Sequence, residues 1–134
     1  MAEHNDIGKW GEEVAAMFLQ DKGYRIVGRD WRVGHRDIDI IAIDGDELVI
    51  VEVKTRTDDS VTRPEQAVTV QKMRSLCSAA NAFVKTNRVH LRLRFDIVAV
   101  TGSPEHKCSI NHIVNAFNVV HCMQRTPGRR KEGV

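Results

Sequence analysis

No apolar run approaches the roughly 18 residues of a membrane-spanning helix, so a membrane span is not expected. Met1-Ala2-Glu3-His4-Asn5-Asp6 lacks the basic-then-apolar order of a secretory signal. Cysteine is scarce. Cys77, Cys108 and Cys122 are odd in number and far apart, which speaks against a disulfide framework or a thiolate zinc site and suits a reducing cytoplasm. The six histidines include no pair at metal-ligand spacing. There is no internal repeat and no linker, so the 134 residues read as one domain, 1–124, followed by a tail, 125–134, expected to be disordered. Neither sign of charge dominates. The net charge of +2 excludes a uniformly basic nucleic-acid binder but leaves room for a local basic patch.

What the chain does have is an acidic hairpin. Asp37-Ile38-Asp39-Ile40-Ile41-Ala42-Ile43 and Glu47-Leu48-Val49-Ile50-Val51-Glu52-Val53-Lys54 flank Asp44-Gly45-Asp46, a strong turn signal. Side chains alternate faces along a strand, so Glu52 and Lys54 share a face with Leu48 and Ile50. Asp37 and Asp39 share one with Ile41 and Ile43. A loop at Asp44-Gly45 pairs Asp39 with Ile50, and a loop at Gly45-Asp46 pairs Asp39 with Glu52. Both bring Asp37, Asp39, Glu52 and Lys54 to one face, whereas a three-residue loop separates them. Asp-Gly favours the two-residue, type I′ form. Like charges at about 4 Å repel by roughly 1 kcal/mol in water and about 4 kcal/mol at an effective dielectric near 20. Carboxylates gathered beside Ile and Val therefore call for a cation, and their oxygens suit Mg2+ or Mn2+.

The rest of the chain reads as follows. Residues 6–22 predict a helix with Asp6 as N-cap, a stripe of Ile7, Trp10, Val14, Met17 and Phe18, and Gly23 as stop. Gly8 and Gly11 each cost about 1 kcal/mol relative to Ala there, which suggests close approach of another backbone. Glu12 falls on the flank of the stripe. Tyr24 to Trp31 reads as a strand and Trp31 to Arg36 as a loop around Gly34. Lys22, Arg25, Arg29, Arg32 and Arg36 face only Asp30 across residues 22–36, a balance of +4. Such a stretch is either an edge strand guarded by charge or a phosphate-contacting rim, with Trp31 or His35 placed for stacking or hydrogen bonding. Thr55 to Arg63 is a polar loop, and Pro64 suits a first helical turn. Val70, Met73, Cys77, Ala80 and Val84 predict a helix over 70–86 with Thr69 as a cap. Val89 to Val100 is a long strand, and 110–120 fits either strand or helix. The order α-β-β-β-α-β predicts an α/β sandwich, a mixed sheet flanked by two helices.

An acidic residue on one strand followed by Glu52-Val53-Lys54 on the next resembles the PD-(D/E)xK signature of restriction-endonuclease-like nucleases. Gly8-x-x-Gly11-Glu12-x-x-Ala15, Asp37-Ile38-Asp39-Ile40-Ile41, Val51-Glu52-Val53-Lys54-Thr55-Arg56, Lys72 and Arg94-Phe95-Asp96-Ile97-Val98 resemble the bacterial YraN family of predicted nucleases, over roughly residues 7–118. Archaeal Holliday junction resolvases are more distantly similar. The resemblance implies a restriction-endonuclease-like fold and Mg2+- or Mn2+-dependent hydrolysis of DNA, with RNA not excluded. It implies Asp39 and Glu52 as metal ligands, Lys54 as the group that orients water and offsets phosphate charge, and Glu12 completing the site. Arg29, Arg32, Arg36, Arg56 and Lys72 are the candidate nucleic-acid contacts. The resolvases' dimeric state implies a homodimer. Ile38 stands where the signature has proline, and Asp37 where relatives usually have Glu. The alternative expectation is a non-catalytic nucleic-acid-binding protein that keeps the fold.

Overall fold

The computed structural model describes residues 4–57 and 68–117. Helix α1 (His4–Asp21) leads into strands β1 (Arg25–Val33), β2 (Arg36–Asp44) and β3 (Glu47–Arg56). Helix α2 (Val70–Asn87), β4 (Arg92–Thr101) and β5 (Ser109–Ile113) follow. The five strands form one sheet in the order β1-β2-β3-β4-β5. Neighbours are antiparallel except β3 and β4, which run parallel on either side of the α2 crossover. This is the expected mixed α/β sandwich, consistent with a restriction-endonuclease-like fold. The segment 110–120, open in sequence, contributes β5 as an added edge strand. The expectations for the Thr55–Arg63 loop beyond Thr57, for the turn at Pro64 and for the tail 125–134 fall outside the described residues.

Each face of the sheet carries its own core. On one, Ala15, Ala16 and Leu19 of α1 pack on Ile40, Ala42, Val49, Val51, Val98 and Val100. On the other, Leu76, Cys77, Ala79, Ala80 and Phe83 of α2 pack on Ile38, Ile41, Leu48, Ile50 and Phe95. Much of each expected stripe faces the core: Cys77 and Ala80 are buried with Val84 packed beside them, and Trp10, Val14 and Phe18 pack at the rim of the α1-side core. Met17 is 63% exposed and Val70 60%, while Gly11, Ala15 and Ala79 are buried. A stripe read from bulky side chains misses a face built of small ones, and small ones are what let a helix lie close on a sheet. Gly11 is the closest point: a Cβ there would overlap the Thr55 side chain on β3. Gly11→Ala is expected to destabilise the fold by about 1–3 kcal/mol despite its better helix propensity. Thermal denaturation of the double variant with Thr55→Gly should recover part of that loss.

Cys108 is half-buried and free, Cys77 is buried in the α2-side core, and Cys122 lies outside the described residues.

At the end of the sheet that carries the β2–β3 turn, a buried ionic network holds the strands in register. Arg94 on β4 is 7% exposed. Its Nε and Nη2 donate to the two carboxylate oxygens of Asp96, both at 3.0 Å. Nη1 donates to Asp44 (2.9 Å) and Glu47 (2.8 Å), the two residues that flank the turn, and Nη2 also donates to Tyr24 Oη (2.6 Å). Lys22 Nζ donates to His112 Nδ1 (2.8 Å), so His112 Nε2 is left to donate to Asp96 (2.8 Å). Burial alone would raise the Asp96 carboxyl, but the His112, Arg94 and Asn115 N–H hydrogen bonds offset it and hold Asp96 below its ordinary range. Two of the acids that meet Arg94, Asp44 and Glu47, come from distant parts of the chain, and Asp96 from two residues along its own strand.

Candidate active site

The β2–β3 turn has an even length. Asp44 pairs with Glu47 and Ile43 with Leu48, so the loop is Gly45-Asp46, the second of the two registers weighed from sequence. Of the two loop residues only Gly45 has a positive φ, 63°, which is the type II′ pattern rather than the expected type I′. The ladder continues to Ile40 opposite Val51 and stops there, although both strands run on. Beyond this pair the strands part. Asp39 fills the fork: its Oδ2 accepts the Val53 N–H at 2.8 Å, a bond the ladder no longer supplies.

Regular alternation also fails at Asp39. Ile40 belongs to the α1-side core, but Ile38 and Ile41 both belong to the α2-side core. The register on the other flank, Arg29 with Ile40 and Trp31 with Ile38, sets Asp30 across from Asp39. Asp30 has a φ of 48°, left-handed backbone that is rare for a residue with a side chain. This joint irregularity gives Asp39 a second set of neighbours, beyond the Glu52 and Asp37 charges it already feels. It gathers one carboxylate oxygen each from Glu12, Asp30 and Asp39 within 4.8 Å of one another. Asp30 was missed from sequence, where it read as the lone acid in a basic stretch; its positive φ could not be foreseen from Arg-Asp-Trp. Glu12 reaches the cluster because the buried face of α1 is centred on Gly11 and Ala15.

Glu52 and Lys54 share the opposite face, as predicted. Glu52 is 5% exposed. Lys54 Nζ lies 3.6 Å from its Oε2, and Lys72 Nζ, from the first turn of α2, lies 3.8 Å from its Oε1. The Thr69 side chain caps α2 by accepting the Lys72 N–H at 3.1 Å, which fixes where that turn begins. Asp39 thus stands between a group of bare carboxylates and a carboxylate flanked by two ammoniums.

The electrostatics follow from burial and crowding. Burial first, then the charges of Asp39 and Asp30 and a hydrogen bond with Asp30, push the Glu12 carboxyl up to about 8. Burial, then Glu52, push Asp39 up to about 7 against the opposing Val53 N–H, with Asp37 adding to the rise. Glu52 is also raised by burial, although Lys72 and Lys54 pull the other way. Asp37 acts through its charge and is not part of the three-carboxylate group.

The basic residues separate. Arg29 is held by Glu13 at 3.1 Å on the α1 side, and Arg32 pairs across the strands with Asp37. Arg36 is exposed beside the Gly34-His35 turn, and Arg56 is half-buried at the end of β3. Of the expected DNA contacts, Lys72 alone makes an ion pair with a proposed metal ligand among the described residues. Trp31 is not placed for stacking on bases. It meets Phe83 edge-to-face, 5.3 Å between centroids, in the α2-side core.

Fold and site together define a mixed-sheet α/β protein with a carboxylate-and-lysine centre at a strand fork. The chain belongs to the uncharacterised protein family UPF0102, whose model matches residues 11–100. A UPF0102 protein of Porphyromonas gingivalis (strain ATCC 33277) is 40% identical over 134 residues, 98% of this chain and 99% of its own. UPF0102 proteins of Bacteroides thetaiotaomicron and Flavobacterium psychrophilum are each 44% identical over 117 residues, 87% of this chain and 96% and 98% of theirs. Among solved structures, Pyrococcus furiosus SfsA in complex with Ca2+ aligns with 84% of this chain and 64% of its own at 13% identity and a TM-score of 0.38, too distant to bear on function. No helix among the described residues is long and apolar enough to cross a membrane.

Proposed function

We propose that this protein is a metal-dependent phosphodiesterase that hydrolyses DNA, with branched and single-stranded forms the first substrates to try. The observation that carries the proposal is Asp39 in the β2–β3 fork, set between the Glu12–Asp30 carboxylates and the Glu52–Lys54–Lys72 group. The donor set fits Mg2+ or Mn2+: it consists of carboxylate oxygens, and Glu12 and Asp30 still have access to solvent. Two oxygens on one Mg2+, each at about 2.1 Å, lie at most about 4.2 Å apart, so a group spanning 4.8 Å need close only slightly. Asp39 and Glu52 are the proposed ligands, with Glu12 and Asp30 completing the cation's surroundings. When bound, the cation supplies Lewis-acid polarisation and a lower pKa for water. Lys54 holds its ammonium beside Glu52, where it can orient water and balance phosphate charge. Asp39 keeps its geometry through the Val53 N–H, and the core strands behind it exclude solvent from that side.

The raised carboxyls give the test. In the unfolded chain Asp39 and Glu12 lose their protons near their ordinary values; in the fold they keep them to about 7 and about 8. Between those limits the unfolded state binds fewer protons, so the metal-free fold loses stability as pH rises. A cation reverses this by taking the ionised form. Mn2+ affinity, measured by calorimetry, is expected to rise by at least about tenfold from pH 6 to pH 8.5, with net proton release on binding at pH 6.5. Binding that is absent, or unchanged across this range, would contradict the proposed centre.

A further inference from the structure

Glu52 holds two ammoniums at ion-pair distance, whereas Lys72 and Arg29 act on Asp39 and Glu12 only through longer-range charge. Lys54 Nζ and Lys72 Nζ lie 3.6 and 3.8 Å from different oxygens of its carboxylate. Among the described residues, no Lys, Arg or His comes within 4.0 Å of a carboxylate oxygen of Glu12, Asp30 or Asp39. The lysines arrive from different directions, Lys54 along β3 and Lys72 from the start of α2. Glu52 is 7% exposed at its side chain, but the lysines are 31% and 35% exposed. At 3.6 and 3.8 Å both contacts are long, with at most a weak hydrogen bond from Lys54, and an ammonium has three N–H groups, so each keeps donors for another acceptor.

We propose that Lys54 and Lys72 form a two-pronged phosphate clamp whose resting occupant is the Glu52 carboxylate, so that a divalent cation and a nucleic-acid phosphate bind cooperatively. This rests on the metal centre proposed above. When the oxygens of Glu52 turn to a cation, both ammoniums lose their counter-ion at the same place. A phosphate oxygen restores it. Without phosphate, the lysines compete with the cation for Glu52, which weakens metal binding. The coupling is reciprocal: phosphate tightens metal binding by the factor with which metal tightens phosphate binding.

Lys72 is the residue to change. Its backbone N–H caps α2 through Thr69 whatever its side chain, so Lys72→Met leaves the helix start intact. The full-length protein is titrated calorimetrically with Ca2+ and with Mn2+, alone and with a short single-stranded DNA, and DNA binding is followed by fluorescence anisotropy with and without each metal. In the wild type, DNA and metal should each tighten the other by about 5-fold or more, at the low end of common coupling factors. Lys72→Met should bind metal alone more tightly than wild type, and its DNA affinity should no longer respond to metal. Lys72→Arg should retain the coupling. A merely structural Lys72 gives the opposite sign: metal binding in Lys72→Met no tighter than wild type overturns the clamp. Wild-type protein that binds metal without coupling to DNA also overturns it, and leaves the proposed nuclease standing. Wild-type protein that binds neither cation overturns both.

Discussion

Asp39→Asn is expected to abolish metal-dependent cleavage and, at the same time, to stabilise the metal-free protein. Both effects come from one position. Asp39 sits in the fork with its carboxyl raised to about 7, first by burial and then by the charge of Glu52. At pH 8 the folded protein must hold that group ionised with only the Val53 N–H and the Lys72 charge to favour it, which costs stability. Asparagine keeps an oxygen to accept the Val53 N–H, now 2.8 Å from Oδ2, and removes the charge. The gain should be on the order of 1–2 kcal/mol at pH 8, much less than the full shift because the site is partly hydrated. It should shrink toward pH 5, where Asp39 itself is protonated. Loss of a metal ligand should lower the cleavage rate by at least about a thousandfold, the scale on which single electrostatic contributions to catalysis are lost. Thermal melts across pH, set beside cleavage assays of the same preparation, read both. A variant that is inactive and less stable would point to a structural role for Asp39.

Arg94→Met should have the largest effect on stability. The guanidinium satisfies the buried Asp96 through two bonds and ties down Asp44, Glu47 and Tyr24. Its removal leaves Asp96, whose side chain is fully buried, with His112, the Asn115 N–H and a longer bond from the Tyr24 hydroxyl at 3.4 Å. Breaking such a buried ion pair from one side costs about 3–5 kcal/mol, a large share of a small domain's stability. Chemical denaturation should show this, and replacing Asp96 as well, by Asn, should recover part of the loss. The consequence reaches the site. Asp44 and Glu47 flank the Gly45-Asp46 loop, and that register sets Asp39 against the Glu52 end of β3. Acid should work on the same network. Asp96 is held below its ordinary range, so its contribution is present above that range and is lost as pH falls through the depressed value.

The hairpin and the order of elements were legible because their signals are local. Asp-Gly between two β-branched runs predicts a turn, and period 2 predicts the shared face of Glu52 and Lys54. The cap at Thr69 and the extent of α2 were read from the same kind of local pattern. What the sequence hid depends on neighbours far along the chain. The helix stripes were legible in the main, but Met17 and Val70, expected inside, are exposed, because small residues such as Ala15 and Ala79 form the closest-packed part of each face. Asp30 was missed because its role rests on a left-handed backbone opposite the point where β2 leaves β3. Trp31 was read as free for bases because nothing local announces Phe83. The role of Arg94 was not legible because its acids lie 50, 47 and 2 residues away, and only the last can be seen nearby.

Whether this fork cuts nucleic-acid backbones is read most directly from cleavage itself. Wild-type protein, Glu52→Gln and Lys54→Ala are incubated with Mn2+ and a panel of linear duplex, single-stranded, flapped and four-way DNA, and the products are resolved by size. The wild type is expected to cleave at least one substrate, with no cleavage after chelation of the metal and none by either variant. DNA binding without cleavage under every metal tried, or cleavage that survives in Glu52→Gln, would contradict it.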